Sequence, residues 1–275
     1  MTKLVIFDLD GTLLNSLQDL ATSTNYALQR HGYPTHELPA FRYFVGNGID
    51  KLLERALPEA ERSRENVLKI REDFMAYYAE HKADFTAPYD GICELLKTLK
   101  RHQLLLAVAS NKYHAATREL IPEYFGEGVF DFVYGQREGI PAKPNPTIVF
   151  DIMKEAGVSK EEVLYVGDSG VDMQTAVNSG VTSIGVTWGF RDRKELLANG
   201  AQYIADEPYE IMKWVHFRHF LFYLFTRKYF LFLCQMRVKW QTLMRYYLCT
   251  SMMKGLLCRN FLISIMNHFC FIATV

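Results

Sequence analysis

Residues 4–12 read LVIFDLDGT, and this stretch decides the fold class. Its first four residues are apolar without alternation, which indicates a strand that is buried on both faces, as in a parallel sheet. Asp8 and Asp10 follow at the end of this strand, and Gly11 comes directly after them. Two acids in this position are either part of a solvated turn or part of a site, and the rest of the chain has to separate these interpretations.

Similar apolar runs recur along the chain and are separated by amphipathic segments. They lie at residues 104–109, 130–134, 163–166 and 182–187. Strands that alternate with helices indicate right-handed βαβ units. We therefore predict an α/β fold with a Rossmann-like, doubly wound parallel sheet as its core, formed by residues 1–15 and 83–215.

Residues 16–82 interrupt this alternation because they contain no strand-like run. Apolar residues recur there at helical spacing, first at Leu17 and Leu20 and later at Phe74 and Tyr78. A helical segment between the first two strands of a parallel sheet predicts an inserted cap domain. Its ends are expected to return to the carboxyl edge of the sheet, where ligands bind in such folds.

The distribution of charge predicts a boundary near residue 215. The 275-residue chain has a formal net charge of 0, which gives no indication of a nucleic-acid partner. However, residues 216–275 contain eight Lys or Arg and no Asp or Glu, which leaves residues 1–215 with 23 basic and 31 acidic residues. This basic, aromatic-rich tail is interpreted as a membrane-surface segment, a partner-binding helix pair or an extension unrelated to the domain. We favour the last and expect deletion of the tail to leave activity intact.

Two further features predict a cytoplasmic protein. The N-terminal apolar run is too short for a signal peptide, because Asp8 interrupts it after four residues. Cys93 is the only one of the five cysteines that precedes residue 216, so no disulfide framework is expected in the α/β part.

Polar clusters occur at the ends of the predicted strands, in chain order. They are residues 8–10, 110–112, 143–144 and 167–172. Each cluster alone has an ordinary explanation as a turn or a helix cap. Because the carboxyl ends of parallel strands meet along one edge, the four together should gather several acids, a lysine and a small hydroxyl group at one place.

Such a set of groups suits phosphoryl transfer. A carboxylate can act as a nucleophile and form an aspartyl-phosphate. A second acid two residues further on can exchange protons with the leaving group and then with water. Mg²⁺ prefers oxygen ligands and lets clustered acids face an anionic phosphate. Lys143 adds positive charge for the transferring group, and Ser110 can donate a hydrogen bond to it.

These motifs resemble those of the haloacid dehalogenase superfamily of phosphatases. The resemblance rests on residues 8–13, 110–112, 143–144 and 167–172, and it covers residues 1 to about 214. Residues 44–57 are most similar to the helical cap of the phosphoglycolate phosphatase subfamily. The resemblance implies hydrolysis of a small phosphorylated metabolite, 2-phosphoglycolate, with Mg²⁺ as cofactor.

The resemblance also implies a role for each motif residue. Asp8 is the expected nucleophile, and Asp10 is the expected general acid and base. The expected Mg²⁺ ligands are Asp8, the backbone carbonyl of Asp10 and Asp168, while Asp172 anchors the waters of the metal or Lys143. The remaining expected contacts are Ser110, Lys143 and the backbone N–H groups of Thr12 and Asn111 for the phosphoryl group, and Gly46 and Asn47 in the cap for the substrate.

Other functions stay open at this point. Within the same fold they are a sugar-phosphate or nucleotide phosphatase and a phosphomutase, which must keep water from the intermediate. In a different class, a non-catalytic binding or membrane-associated protein is supported only by the cationic tail. The G-x-G at residues 46–48 lacks the third glycine of a dinucleotide-binding motif, and the chain contains no P-loop.

Overall fold

A six-stranded parallel sheet lies at the centre of residues 1–215, which are the residues that the computed structural model describes. Its strands are β1 (Leu4–Phe7), β4 (Leu105–Tyr113), β5 (Phe132–Gln136), β6 (Val163–Gly167), β7 (Thr182–Val186) and β8 (Tyr203–Ala205). Their order is β5-β4-β1-β6-β7-β8. The strand β1 pairs with β4 on one side and with β6 on the other. The predicted α/β fold with a parallel sheet is confirmed.

Helices cover both faces of the sheet, as expected for a doubly wound fold. They are α5 (Ile92–Arg101), α6 (His114–Phe125), α7 (Thr147–Ala156), α8 (Gly170–Ser179) and α9 (Arg193–Ala198). The side chains of β1 alternate between the faces: Val5 and Phe7 pack in the cluster that includes α5 and α6, whereas Leu4 and Ile6 pack with α7 and α8. Burial on both faces explains why β1 is apolar throughout.

Four helices form the cap between the first and second sheet strands. They are α1 (Leu17–Arg30), α2 (Leu38–Phe44), α3 (Ile49–Ala56) and α4 (Arg64–His81). Their apolar faces form a separate hydrophobic cluster, which Phe190 from the sheet domain joins. The predicted helical insertion is therefore present, and it has its own core.

A short antiparallel ribbon joins the cap to the sheet domain. Its strands are β2 (Leu14–Asn15), where the chain leaves for the cap, and β3 (Ala87–Pro88), where it returns. The buried carboxylate of Asp19, in the first turn of α1, accepts hydrogen bonds from the backbone N–H groups of Phe85 and Thr86. Asp19 thus links the segment that enters the cap to the segment that returns from it.

One local expectation needs correction. The strand β4 continues through Tyr113, so residues 110–112 lie within its last part and not after it. A register shift against β5 between Ala109 and Tyr113 accompanies this extension.

Within residues 1–215, no helix has the length and apolar character that spanning a bilayer requires. The expectations for the tail at residues 216–275 concern a part of the chain outside the described residues.

Candidate active site

The site forms where β1, β4 and β6 end side by side. Asp8 directly follows β1, and its backbone N–H donates to the carbonyl of Val166 in β6. Asp168 directly follows β6. Because the three strands are parallel neighbours, their ends bring together groups that lie up to 160 residues apart in the chain.

Lys143 lies at the centre of this edge. Its Nζ donates to Asp8 Oδ1 at 2.7 Å, to Asp172 Oδ1 at 2.8 Å and to the carbonyl oxygen of Ala109 at 2.8 Å. The Tyr165 hydroxyl group lies a further 3.1 Å from Nζ, so the three N–H bonds of the ammonium group have at least as many acceptors as they can use. Burial opposes its charged form, but the carboxylates of Asp172 and Asp8 raise the pKa of Lys143 well above its usual value. Lys143 is therefore a fixed cation that holds Asp8 in place.

Asp172 is bonded through both of its carboxylate oxygens. Oδ1 accepts from Lys143 and from the Tyr165 hydroxyl group, while Oδ2 accepts from the backbone N–H and the hydroxyl group of Ser169. Ser169 is the N-cap of α8, and Asp172 completes a capping box with it. This arrangement makes Asp172 the anchor of Lys143.

Asp168 is enclosed by backbone and a small hydroxyl group. Thr12 Oγ1 donates to its Oδ1 at 3.2 Å, and the backbone N–H of Phe190 donates to its Oδ2 at 2.7 Å. Gly11 has φ +93°, and a Cβ there would lie 2.3 Å from Asp168 Oδ2. Glycine at this position lets the β1 loop approach the carboxylate closely.

Three buried carboxylates face each other at this edge with one lysine between them. The side chains of Asp8, Asp168 and Asp172 place oxygen atoms within 4.8 Å of one another. Burial and then the charge of Asp172 raise the pKa of Asp8 to about 7, although Lys143 opposes the shift. The same two causes, joined by the charge of Asp8, raise the pKa of Asp168. The cluster carries more negative charge than Lys143 neutralises.

The residues present fit a divalent cation. An excess of buried negative charge requires compensation, and the donor atoms are all carboxylate oxygens, which suit Mg²⁺ and not a soft metal. Asp8 and Asp168 are the side chains available for this role, because Asp172 already accepts four hydrogen bonds.

Asp10 faces the cap and not the carboxylate cluster. Its Oδ1 accepts a 2.6 Å hydrogen bond from the hydroxyl group of Ser16, the N-cap residue of α1. Lys112 Nζ lies 3.2 Å from both of its carboxylate oxygens. The two neighbouring acids of β1 thus have different partners: Asp8 is held by Lys143, and Asp10 by Lys112 and Ser16.

Three of the predicted phosphate-binding residues, Ser110, Asn111 and Thr12, already form hydrogen bonds within the protein. Ser110 lines the cavity beside Asp8 and Asp10, and its Oγ accepts from the backbone N–H of Lys112. The side chain of Asn111 donates to the carbonyl of Gly46 in the cap and pairs with the backbone of Lys143. The backbone N–H of Thr12 donates to the carbonyl of Leu9 at 3.3 Å, while its hydroxyl group contacts Asp168.

A cavity of about 40 Å³ lies between the sheet edge and the cap. Gly46 lines this cavity together with Asp8 and Asp10, so the structure brings Gly46 close to the carboxyl ends of the sheet strands. The structure places Asn47 differently: its side-chain oxygen accepts a 2.8 Å hydrogen bond from Arg55, within the cap. A second arginine, Arg191, reaches from the sheet domain to the carbonyl of Val45.

Two residues at this cavity were not identified from the sequence. Lys112 belongs to the motif at 110–112, and its position two residues after Ser110 indicates the same face of β4. This two-residue spacing is the feature of the sequence that could have identified Lys112 as a residue of the site. Tyr78 fits the helical period of α4 but carries no motif, so its place on the cavity wall follows only from how the cap packs.

The sequence matches known proteins along most of the described part. The family profile described as haloacid dehalogenase-like hydrolase matches residues 5–186. Phosphoglycolate phosphatases from Mannheimia succiniciproducens and Vibrio parahaemolyticus are 31% and 33% identical to the chain; each alignment covers 77% of this chain, and they cover 97% and 95% of the relatives. A crystal structure of a predicted phosphoglycolate phosphatase from Haemophilus somnus superposes with a TM-score of 0.73 at 29% identity, over 78% of this chain and 98% of that one.

The family match extends from the strand β1, through the cap, to the end of β7. It therefore includes every element that contributes a side chain to the carboxylate cluster and to Lys143. On these grounds, the chain belongs to the family of haloacid dehalogenase-like hydrolases.

Proposed function

We propose that this hydrolase is a Mg²⁺-dependent phosphatase that cleaves 2-phosphoglycolate through an aspartyl-phosphate on Asp8. The observation that carries the proposal is the pair of acids after β1: Lys143 fixes Asp8 beside the carboxylate cluster, while Asp10 faces the cap at hydrogen-bond distance from Lys112 and Ser16. The substrate follows from the relatives, which are named phosphoglycolate phosphatases.

The first step uses both acids. The carboxylate oxygen of Asp8 that does not accept from Lys143 attacks phosphorus, and the bond between phosphorus and the ester oxygen breaks. Asp10 donates its proton to the departing glycolate oxygen, so glycolate leaves as a neutral alcohol at that oxygen. Ser110 and the backbone N–H of Asn111 are proposed to donate hydrogen bonds to the phosphoryl oxygens.

The second step reverses the proton transfer. A water molecule attacks phosphorus, and Asp10, now a carboxylate, accepts the proton of the water. The bond to Asp8 breaks, and inorganic phosphate leaves while Asp8 returns to its carboxylate form. Mg²⁺, proposed to be held by Asp8, the Asp10 carbonyl and Asp168, supplies positive charge for the phosphoryl oxygens when bound. Asp172 keeps Lys143 oriented throughout.

The cap completes the site. Its Gly46 lines the cavity and is tied to the sheet domain by Asn111, and Arg191 holds the neighbouring carbonyl of Val45. A closed cap excludes bulk water before the first step and makes the choice of leaving group depend on the cap.

The test compares the wild type with Asp8→Asn on an aryl phosphate, with and without Mg²⁺. We expect the substitution to lower kcat on the order of 10⁴-fold or more, because the amide is a poor nucleophile. Asp151→Asn, which removes a carboxylate that pairs with Arg137 outside the site, is the matched control and should retain activity. Normal turnover by Asp8→Asn would show that the covalent mechanism is wrong.

A substrate panel then tests the leaving group. It contains 2-phosphoglycolate, a hexose 6-phosphate and a nucleoside monophosphate. We expect the highest kcat/KM for 2-phosphoglycolate. Equal or higher kcat/KM values for the other esters would reject 2-phosphoglycolate as the preferred substrate but would leave the proposed phosphatase activity standing.

A further inference from the structure

The cavity is lined by two buried polar groups that the transfer steps above do not use. One is the ammonium group of Lys112, from β4, and the other is the hydroxyl group of Tyr78, from α4 of the cap. They lie on opposite domains and meet at the cavity, where Lys112 Nζ is 4.9 Å from the centroid of the Tyr78 ring.

Lys112 keeps bonding capacity toward the cavity. Its side chain is 3% exposed, and its Nζ lies 3.2 Å from both carboxylate oxygens of Asp10. Two such contacts use at most two of the three N–H bonds of an ammonium group. The adjacent carboxylate of Asp10 favours the charged form of Lys112.

Tyr78 has an unsatisfied hydroxyl group. The residue is 1% exposed, and its Oη forms no hydrogen bond of standard geometry within residues 1–215, although the Lys112 ammonium group lies close enough to act on its pKa. A buried hydroxyl group without a partner is unfavourable, so an occupant of the cavity that accepts its hydrogen bond would remove this cost. Burial raises the pKa of Tyr78 to about 12, and the hydroxyl group therefore remains a donor.

The position of these donors matches the leaving group and not the phosphoryl group. The ester oxygen must come within hydrogen-bond reach of the Asp10 carboxyl group to receive its proton. In a phosphorylated 2-hydroxy acid, the carboxylate carbon is two bonds from that ester oxygen. Because Lys112 contacts the same carboxyl group of Asp10, the carboxylate of the substrate falls within reach of Lys112.

The other cap residues on the wall offer no competing charge. They are Leu20, Val45, Gly46, Gly48, Ile49 and Leu52. On the cap side, a carboxylate that accepts from Lys112 and Tyr78 would otherwise meet only apolar side chains and glycine backbone.

We propose that Lys112 and Tyr78 bind the carboxylate of the leaving group and thereby select phosphate monoesters of small 2-hydroxy acids. This assignment rests on the proposed phosphatase function and adds the residues that determine its specificity.

The test measures kcat/KM for two esters that differ in one group. They are 2-phosphoglycolate and 2-hydroxyethyl phosphate, in which a neutral CH₂OH group replaces the carboxylate. For Lys112→Gln we expect the ratio of the two kcat/KM values to fall about 10–100-fold, the range for loss of a hydrogen bond to a charged group. Lys112→Arg, which keeps the charge, should retain most of the preference.

Tyr78→Phe keeps the ring and removes only the hydroxyl group. We expect it to lower the same ratio about tenfold. The matched control is Lys51→Gln, which removes an exposed cap charge that pairs with Glu54 and should change neither ester. If Lys112→Gln does not fold, as judged by circular dichroism, Tyr78→Phe alone decides.

Equal losses on both esters would overturn the proposal, because Lys112 would then act only by positioning Asp10. An unchanged ratio in Tyr78→Phe would overturn the role of the phenol. Failure of the wild type to hydrolyse any phosphate ester is a separate result: it removes the proposed function itself and is visible before any variant is made.

Discussion

The two buried lysines of the site, Lys143 and Lys112, differ in how completely their N–H bonds are used within the protein. Lys143 directs its three N–H bonds to Asp8, Asp172 and the Ala109 carbonyl. Lys112 meets Asp10 at longer distances and lies against the Tyr78 ring. The hydrogen-bond network around Lys143 is saturated, whereas Lys112 and Tyr78 retain donors for a ligand.

This difference separates the residues that hold the nucleophile in place from the residues that are proposed to bind the leaving group. A nucleophile needs a fixed position, and a saturated network of buried hydrogen bonds supplies it. A leaving group needs donors that are free until it arrives. Three predictions test this comparison, from the largest expected effect to the smallest.

Lys143→Met should have the largest effect on stability. The substitution leaves Asp8 and Asp172 buried without their cation, and breaking a buried ion pair typically costs about 3–5 kcal/mol. Urea denaturation measures the loss of free energy of unfolding. The matched control is Lys100→Met, whose partially exposed pair with Asp131 should contribute at most about 1 kcal/mol. Equal effects of the two substitutions would contradict the saturated network.

Mg²⁺ should stabilise the protein more at pH 8 than at pH 5.5. Without metal, the pKa of Asp8 rises from 3.8 to about 7 on folding, so the folded state binds more protons between these values. Its contribution to stability therefore falls as the pH rises from about 4 to about 7 and stays low above that range. Mg²⁺ requires the deprotonated carboxylate and relieves the repulsion.

Thermal denaturation with and without Mg²⁺ at both pH values measures this effect. At 100 times its Kd, Mg²⁺ should add about 2.7 kcal/mol at pH 8. Asp8→Asn should reduce the difference between the two pH values. A Mg²⁺ effect that is the same at pH 5.5 and pH 8 would argue against Asp8 as a ligand.

Asn47→Ala should have the smallest effect. Its side chain accepts from Arg55 inside the cap, so the substitution should cost about 1 kcal/mol of stability. The preference for 2-phosphoglycolate over 2-hydroxyethyl phosphate should change less than about twofold. A loss comparable to that of Tyr78→Phe would instead place Asn47 at the substrate.

Much of the sheet could be predicted from the sequence because its inner strands are apolar on both faces. Runs at residues 4–7, 104–109, 130–134, 163–166 and 182–187 correspond to β1, β4, β5, β6 and β7. The strand β8 was not predicted, since it has three residues and begins with the exposed Tyr203. The carboxylate cluster could be anticipated because parallel strands bring their ends together by topology alone.

The cap side could not be predicted in the same way. The contact between Lys112 and Tyr78 depends on how α4 packs over the sheet edge, and no local pattern encodes that orientation. The Ser16 hydroxyl group is a similar case. Its sequence position predicts a helix cap, but the hydroxyl group donates to Asp10 because that carboxylate lies next to it in space.

The ribbon of β2 and β3 has a consequence for engineering. Leu14 pairs with Pro88 and Asn15 with Ala87, so the two ends of the cap lie side by side. Replacing everything between them with a shorter or longer segment changes the loop-closure entropy only slightly, because this cost grows with the logarithm of length. The cap can therefore be replaced as a unit. Any replacement segment would still face Lys112, which belongs to the sheet. Exchanging the cap would therefore replace Tyr78 but keep Lys112, so only one member of the proposed carboxylate-binding pair would change.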